Sequence, residues 1–173
     1  MAATLPPDVD VEALYRDLFT QLFRYVFFRT ADYDVAVDVT QTSFLKFLSQ
    51  LGTVSDRDHA QKLLFVIARH TLIDHWRSAA VRRTMVQAEW ENIAANDATA
   101  EEQYITHEEA EFVRLVIADL VETEAEVVSL RLSGDVSYET IAETLGVTSE
   151  NARQIYSRAL RKIRLQLIKR SNF

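Results

Sequence analysis

The sequence predicts an all-α protein built as two small helical domains joined by a linker. Three observations carry that prediction. Apolar residues recur at helical spacing in almost every periodic stretch. The 173 residues include only 3 Gly and 2 Pro, too few turn formers for an all-β sandwich. Between the periodic segments, residues 79–107 form an acidic stretch that loses periodicity, leaving domains at 8–78 and 108–170.

The elements follow in order. Val11 to Arg29 carries Leu14, Leu18, Leu22 and Val26 at four-residue spacing, one apolar stripe of a helix. Tyr33 to Leu51 is a second helix, burying Val37, Phe44, Leu45 and Leu48. The polar run Gly52 to Asp58 is a loop. His59 to Arg77 is apolar on several sides, as a central bundle helix is, with Trp76 placed in the core. After the linker, Glu108 to Leu120 is helical. Thr123 with Glu126 gives a capping-box pattern for a helix Glu124 to Leu132, ended by Ser133, Gly134 and Asp135. Ser137 caps a short helix Tyr138 to Leu145, and Gly146 supplies a left-handed stop. Thr148 or Ser149 caps a last helix that runs to about Ile168.

Several function classes are excluded by composition. With no Cys there is no disulfide, no zinc–thiolate site and no cysteine nucleophile. The scattered glycines make no phosphate loop. The four histidines show no metal-binding spacing, so neither metal, cofactor nor enzymatic activity is expected. No apolar run is long enough to span a membrane and no signal-peptide pattern appears, which predicts a cytoplasmic protein.

The net charge of −7 argues against nucleic acid until it is resolved along the chain. Arg57 to Arg83 holds six basic and two acidic residues, a balance of +4. Gln87 to Glu126 holds twelve acids and one base, −11, and Ser149 to Phe173 seven bases and one acid, +6. Local sign decides what a surface attracts once salt screens beyond about 8–10 Å. The acidic block reads as a solubilising spacer, with shielding of a basic face as its alternative role.

The C-terminal segment SYETIAETLGVTSENARQIYSRALRKIR has helix-turn-helix grammar. Ile141 and Ala142 face inward, Leu145-Gly146-Val147 makes the turn, and Ala152, Ile155, Tyr156, Leu160 and Ile163 take inner or side faces. That leaves Ser149, Asn151, Arg153, Gln154, Ser157 and Arg158 for a DNA groove. Arg matches guanine and Asn or Gln matches adenine by donor and acceptor geometry. Arg161, Lys162 and Arg164 suit phosphates.

The N-terminal half adds DVAVDVTQTSF (34–44) and IARHTLIDHWR (67–77). With SYETIAETLGV, in this order, the chain resembles the extracytoplasmic-function class of sigma factors in the sigma-70 family, from about Tyr15 to Leu167. The resemblance implies a region 2 bundle and a region 4 helix-turn-helix. Its partners would be bacterial core RNA polymerase, through the β′ clamp and β flap, and promoter DNA. Carried over by position, Asp38, Gln41 and Phe44 fall in the polymerase-binding helix. Thr53, Val54, His70, Asp74 and Arg77 fall where minus-ten bases are held. The groove residues fall on the minus-thirty-five element.

The match has gaps. Val37 and Thr42 stand where the family usually has carboxylates. A phosphate on Thr42, or on Thr40 or Ser43, would restore negative charge, so a Ser/Thr protein kinase is an expected regulator. A separate anti-sigma factor remains open. Ile155 replaces a residue that is commonly basic, which removes one phosphate contact. The competing reading is a helix-turn-helix transcriptional regulator that binds DNA without acting as a sigma factor.

Overall fold

The computed structural model describes residues 10–85, 107–117, 119–134 and 136–171. Seven α-helices account for nearly all of them, and among the described residues there is no strand. They are α1 Val11–Thr30, α2 Tyr33–Leu48, α3 Arg57–Met85, α4 His107–Ile117, α5 Glu122–Ser133, α6 Tyr138–Leu145 and α7 Ser149–Ser171. A single 3-10 turn, Leu51–Thr53, follows α2. Among the described residues no helix is long and apolar enough to cross a membrane.

Local chemistry accounts for most boundaries. The Asp10 carboxylate caps α1 by accepting from Glu12 N and Ala13 N at 3.0 and 3.3 Å. Ala31 then ends α1 in the left-handed region (φ 49°), and Asp32 starts α2 by accepting from Val35 N at 3.1 Å. Asp56 accepts from His59 N at 2.8 Å at the start of α3. Ser137 accepts from Thr140 N at 3.0 Å, so α6 begins where the sequence placed it, and Gly146 (φ 69°) stops it. Of the two candidate caps for α7, Thr148 serves, accepting from Asn151 N at 3.1 Å.

Several boundaries differ from expectation: α2 ends at Leu48 rather than Leu51, and α3 starts at Arg57, inside the expected loop. Helix α3 runs to Met85, eight residues past Arg77, into a stretch assigned to the linker. Its last turns need no apolar stripe because they continue a helix already nucleated and packed upstream. Residues 86–106 of the linker, Asp135, and the side chains of Arg82, Arg83 and Arg170 lie outside the described residues. At α5 the capping box is displaced. Thr123 is already helical, and it is Glu124 whose Oε2 accepts from Val121 N at 3.3 Å. Glu126 points elsewhere.

Helices α1–α3 form the first module, around Leu18, Leu22, Val26, Val39, Phe47, Leu64 and Phe65. Helices α4–α7 form the second. The modules are not held by the linker alone. Helix α5 packs along α1, α6 against α3, and Val127, Leu130, Val136 and Ile141 join the same apolar cluster as the α1 stripe. Burial drives this docking, since each module alone is small and covers a modest core. At its centre the Glu126 side chain inserts between α1 and α3. This overturns the plain spacer reading at the end of the acidic block, because Glu122 and Glu126 both pair with basic residues of the first module.

Candidate nucleic-acid interface

The outer face of α7 gathers the groove residues. Asn151, Arg153, Gln154, Ser157 and Arg158 are exposed and Ser149 is half-exposed, while Ala152, Ile155, Ala159 and Ile163 are buried beneath them. The 3.6-residue period separates the two sets. Arg153 is held in place before any ligand arrives. Its Nη2 donates to Glu139 Oε1 at 3.0 Å, and its guanidinium lies 5.2 Å from the Tyr138 ring centroid. Gln154 Nε2 donates to Glu150 Oε1 at 3.2 Å. Tyr138 meets Tyr156 edge-on at 6.1 Å, and burial raises the Tyr156 phenol above its ordinary pKa. Ile155 faces the core, so the phosphate contact expected to be missing there would not have projected to the groove. Leu160, placed on an inner or side face, is exposed.

In the first module the structure divides the expected residues. Asp38 and Gln41 are exposed on α2. Phe44 is not: it is 5 % exposed, under Tyr15 at 4.7 Å and Phe19 at 6.1 Å. The apolar side chains offered on that helix are Leu45, 68 % exposed, and Leu48, both assigned to the core from sequence. The helical stripe is simply rotated by one residue. Thr40 and Ser43 are fully buried, and Ser43 Oγ donates to Val39 O at 2.6 Å. Burial closes both hydroxyls to a kinase in this fold, which leaves Thr42, half-exposed.

Thr42 opens onto a groove of about 680 Å³ lined by Asp38, Lys46, Asp74, His75 and Arg77. The groove therefore joins two sets that sequence kept apart, the α2 residues and part of the minus-ten set. Lys46 Nζ donates to Thr71 Oγ1 at 3.1 Å along one wall. His70 and Thr53 are exposed, but Val54 is 4 % exposed and belongs to the core, so it cannot touch a base without unpacking. Asp56 shapes the loop before α3. Hydrogen bonds from Ser55 and from His59 N hold its carboxyl below the usual range. Trp76 is half-buried, with the Arg29 guanidinium 5.1 Å from its ring centroid.

Sequence reasoning missed Tyr25, Arg29, Arg69 and Glu126, which meet where the modules touch. Tyr25 and Arg29 left a signal, since they stand four apart beside an apolar stripe. Glu126 stands out in the sequence only as a capping-box partner of Thr123, a role that Glu124 takes instead, and nothing local marks it for a distant contact among the twelve acids of its block. Among the described residues no cluster of His, Asp or Glu is arranged to hold a metal ion.

Known sigma factors are similar to the chain along most of its length. The family model for sigma-70 region 4 matches residues 116–165, spanning α5, α6 and most of α7. RNA polymerase sigma factor YlaC of Bacillus subtilis is 27 % identical over 160 residues, covering 92 % of each chain. ECF RNA polymerase sigma factor SigC of Mycobacterium tuberculosis is 29 % identical over 150 residues, 86 % of this chain and 78 % of that one. The fold is similar to that of sigma factor RpoE from Bartonella quintana, solved with the anti-sigma factor NepR. The TM-score is 0.68 at 18 % identity, over 91 % of this chain and 98 % of that one.

Proposed function

The chain is a sigma factor of the extracytoplasmic-function class in the sigma-70 family, and from that premise we propose how its two modules divide the work. The first module docks on core RNA polymerase through α2, using Asp38, Gln41 and the exposed Leu45 and Leu48. The groove beside it, with Asp74 and Arg77, and the neighbouring His70 and Thr53 take the minus-ten strand. The second module reads the minus-thirty-five duplex with Ser149, Asn151, Arg153, Gln154, Ser157 and Arg158. No bond is made or broken in the DNA. Melting needs only that the few kcal/mol of unstacking a base be offset by a site that accepts it, next to cations that hold the strand.

The observation that carries this reading is the exposed donor row of α7 within the region 4 match. Purified protein should co-elute with core polymerase and direct transcripts from a subset of a promoter library. Arg153→Ala with Arg158→Ala should remove promoter choice while leaving polymerase binding intact. Transcripts unaffected by the double substitution would refute the assignment to α7. Promoter binding without any association with polymerase would instead favour a DNA-only regulator.

Regulation belongs to the same proposal. Thr42 is the hydroxyl that a Ser/Thr kinase can reach. It lies one helical turn from Asp38, so a phosphate there would add about −1.5 to −2 charge to a face that lacks two of the family's usual carboxylates. Equal, tight polymerase binding by unmodified and kinase-treated protein would remove that step. The solved relative bound to an anti-sigma factor supports a separate protein inhibitor as a second layer.

A further inference from the structure

Tyr138 is the first residue of α6, and two guanidiniums stand beside its ring. Arg131 of α5 lies 5.1 Å from the ring centroid and Arg153 of α7 lies 5.2 Å from it. Tyr156, almost one turn beyond Arg153 on α7, meets the ring edge-on at 6.1 Å. The segment that carries the ring is itself held. The Ser137 hydroxyl caps α6 directly before Tyr138. Arg131 Nη1 donates to Val136 O at 2.8 Å, which pins the turn from α5. In the same turn Gly134 lies against Gln21 of α1 so closely that a Cβ there would sit 2.7 Å from Gln21 Cγ.

We propose that Tyr138 is a specificity-determining positioning residue: its ring seats the Arg153 guanidinium, so the base pair that Arg153 reads is selected through a side chain that need not touch it. The inference rests on the reading of α7 as the helix that enters the duplex groove.

Order is the first argument. An arginine side chain loses much rotamer freedom when a partner fixes it. Here the ring and the Glu139 bond fix Arg153 before DNA arrives, which lowers the ordering cost of binding. The seat leaves donors over. A guanidinium has five N–H groups, and a bidentate contact with guanine O6 and N7 uses two. Glu139 takes one from Nη2, and the Glu150 carboxylate, 4.0 Å from Nη1, is beyond hydrogen-bond range. Arg153 can therefore stay seated while it reads.

The second argument concerns which contact holds it. The Arg153 and Glu139 side chains are 48 % and 63 % exposed, so water screens their ion pair and its hold is small. The negative face of an aromatic ring attracts a cation without needing a buried carboxylate. Tyr138 is half-buried and braced by Tyr156, so it is the more rigid of the two partners. Arg158 supplies the contrast on the same face. It is exposed, and among the described residues no ring lies beside it. Of the two arginines in the row, only Arg153 has a built seat.

The test reads base preference position by position. Full-length protein with core polymerase transcribes a template pool randomised across the upstream element, and the transcripts are sequenced. Arg153→Ala first marks the position that Arg153 reads, with a loss of preference of at least about fivefold. Tyr138→Phe keeps the ring face and should keep that preference. Tyr138→Phe with five ring fluorines, introduced by stop-codon suppression, keeps the shape and so the fold, but removes the negative face. It should flatten the preference at the Arg153 position about two- to fivefold, and leave the position marked by Arg158→Ala unchanged. Equal preference with the plain and fluorinated rings would overturn the proposal. So would a loss spread evenly over every position, the sign of a merely structural role. If Arg153→Ala changed preference at no position, the reading of α7 itself would fall instead.

Discussion

Glu124 and Glu126 stand two residues apart on α5 and answer to different parts of the molecule. Glu124 turns to its own module, where Lys162 Nζ donates to its Oε2 at 2.7 Å; that bond holds its carboxyl below the usual range. Glu126 turns to the other module, where burial pushes its carboxyl up although Arg29, Tyr25 and Arg69 pull it down. The same side chain on the same helix therefore has opposite electrostatic character: the Lys162 hydrogen bond outweighs burial at Glu124, and burial outweighs the partners at Glu126. The Glu124 contact ties α5 to α7 and fixes a module. The Glu126 contact ties two modules and is the weaker anchor, because its charge is partly at odds with its surroundings.

The largest effect comes from the apolar core against which the helix carrying both carboxylates is packed. Ile141 is fully buried, and Ile141→Ala should cost about 2–4 kcal/mol by loss of apolar contact and a residual cavity, read by chemical denaturation. A loss under about 1 kcal/mol would mean that the second module is loosely packed. Next is Tyr25→Phe, which deletes the hydroxyl facing Glu126. It should weaken the seam by about 1–2 kcal/mol, raising the radius of gyration without changing helix content. An unchanged radius would show that the hydroxyl carries no share of closure.

A pH series sharpens the contrast between the two acids. For Glu126 the closed-state pKa is raised, so its contribution to closure is full below the ordinary Glu value and is lost as pH rises through the raised value. Glu124 runs the other way: its contribution is present above the ordinary value and is lost as pH falls through the lowered one. The groups facing Glu126 are Tyr25 and Arg29 on α1, Arg69 on α3 and Glu122 on its own helix. Scattering should show the protein closing further as pH descends toward the ordinary carboxylate range. Glu126→Gln should flatten that dependence, and an unchanged slope would assign it to other groups. The smallest effect is expected at Arg57→Ala. Its pair with Asp17 at 2.8 Å is exposed on both sides, so stability should change by no more than about 0.5 kcal/mol.

Much of the fold was legible because it is written in local chemistry. Ser137, Gly146 and Thr148 bound α6 and the start of α7 through caps that need no distant partner. The α7 donor face followed from helical period alone. What escaped depended on rotation or on distance. Phe44 and Leu45 are neighbours on α2, and a shift of about 100° decides which one is buried. Val54 looks like a loop residue in sequence and becomes core once the turn after α2 folds it inward. Thr40 and Ser43 share a run of hydroxyls with Thr42, but only packing against the rest of the first module separates them. Glu126 finds Tyr25 across 101 positions of sequence, and no periodicity within α5 announces a partner so far away.

The bare backbone at Gly134 carries a genetic consequence. Its φ of 166° is ordinary extended geometry, open to any residue, so a side chain there meets no backbone restriction and must instead displace the Gln21 side chain. Every glycine codon is one base change from valine, alanine or arginine. Random mutagenesis should therefore reach this position often, and each replacement reports, through its thermal stability, how far Gln21 can yield.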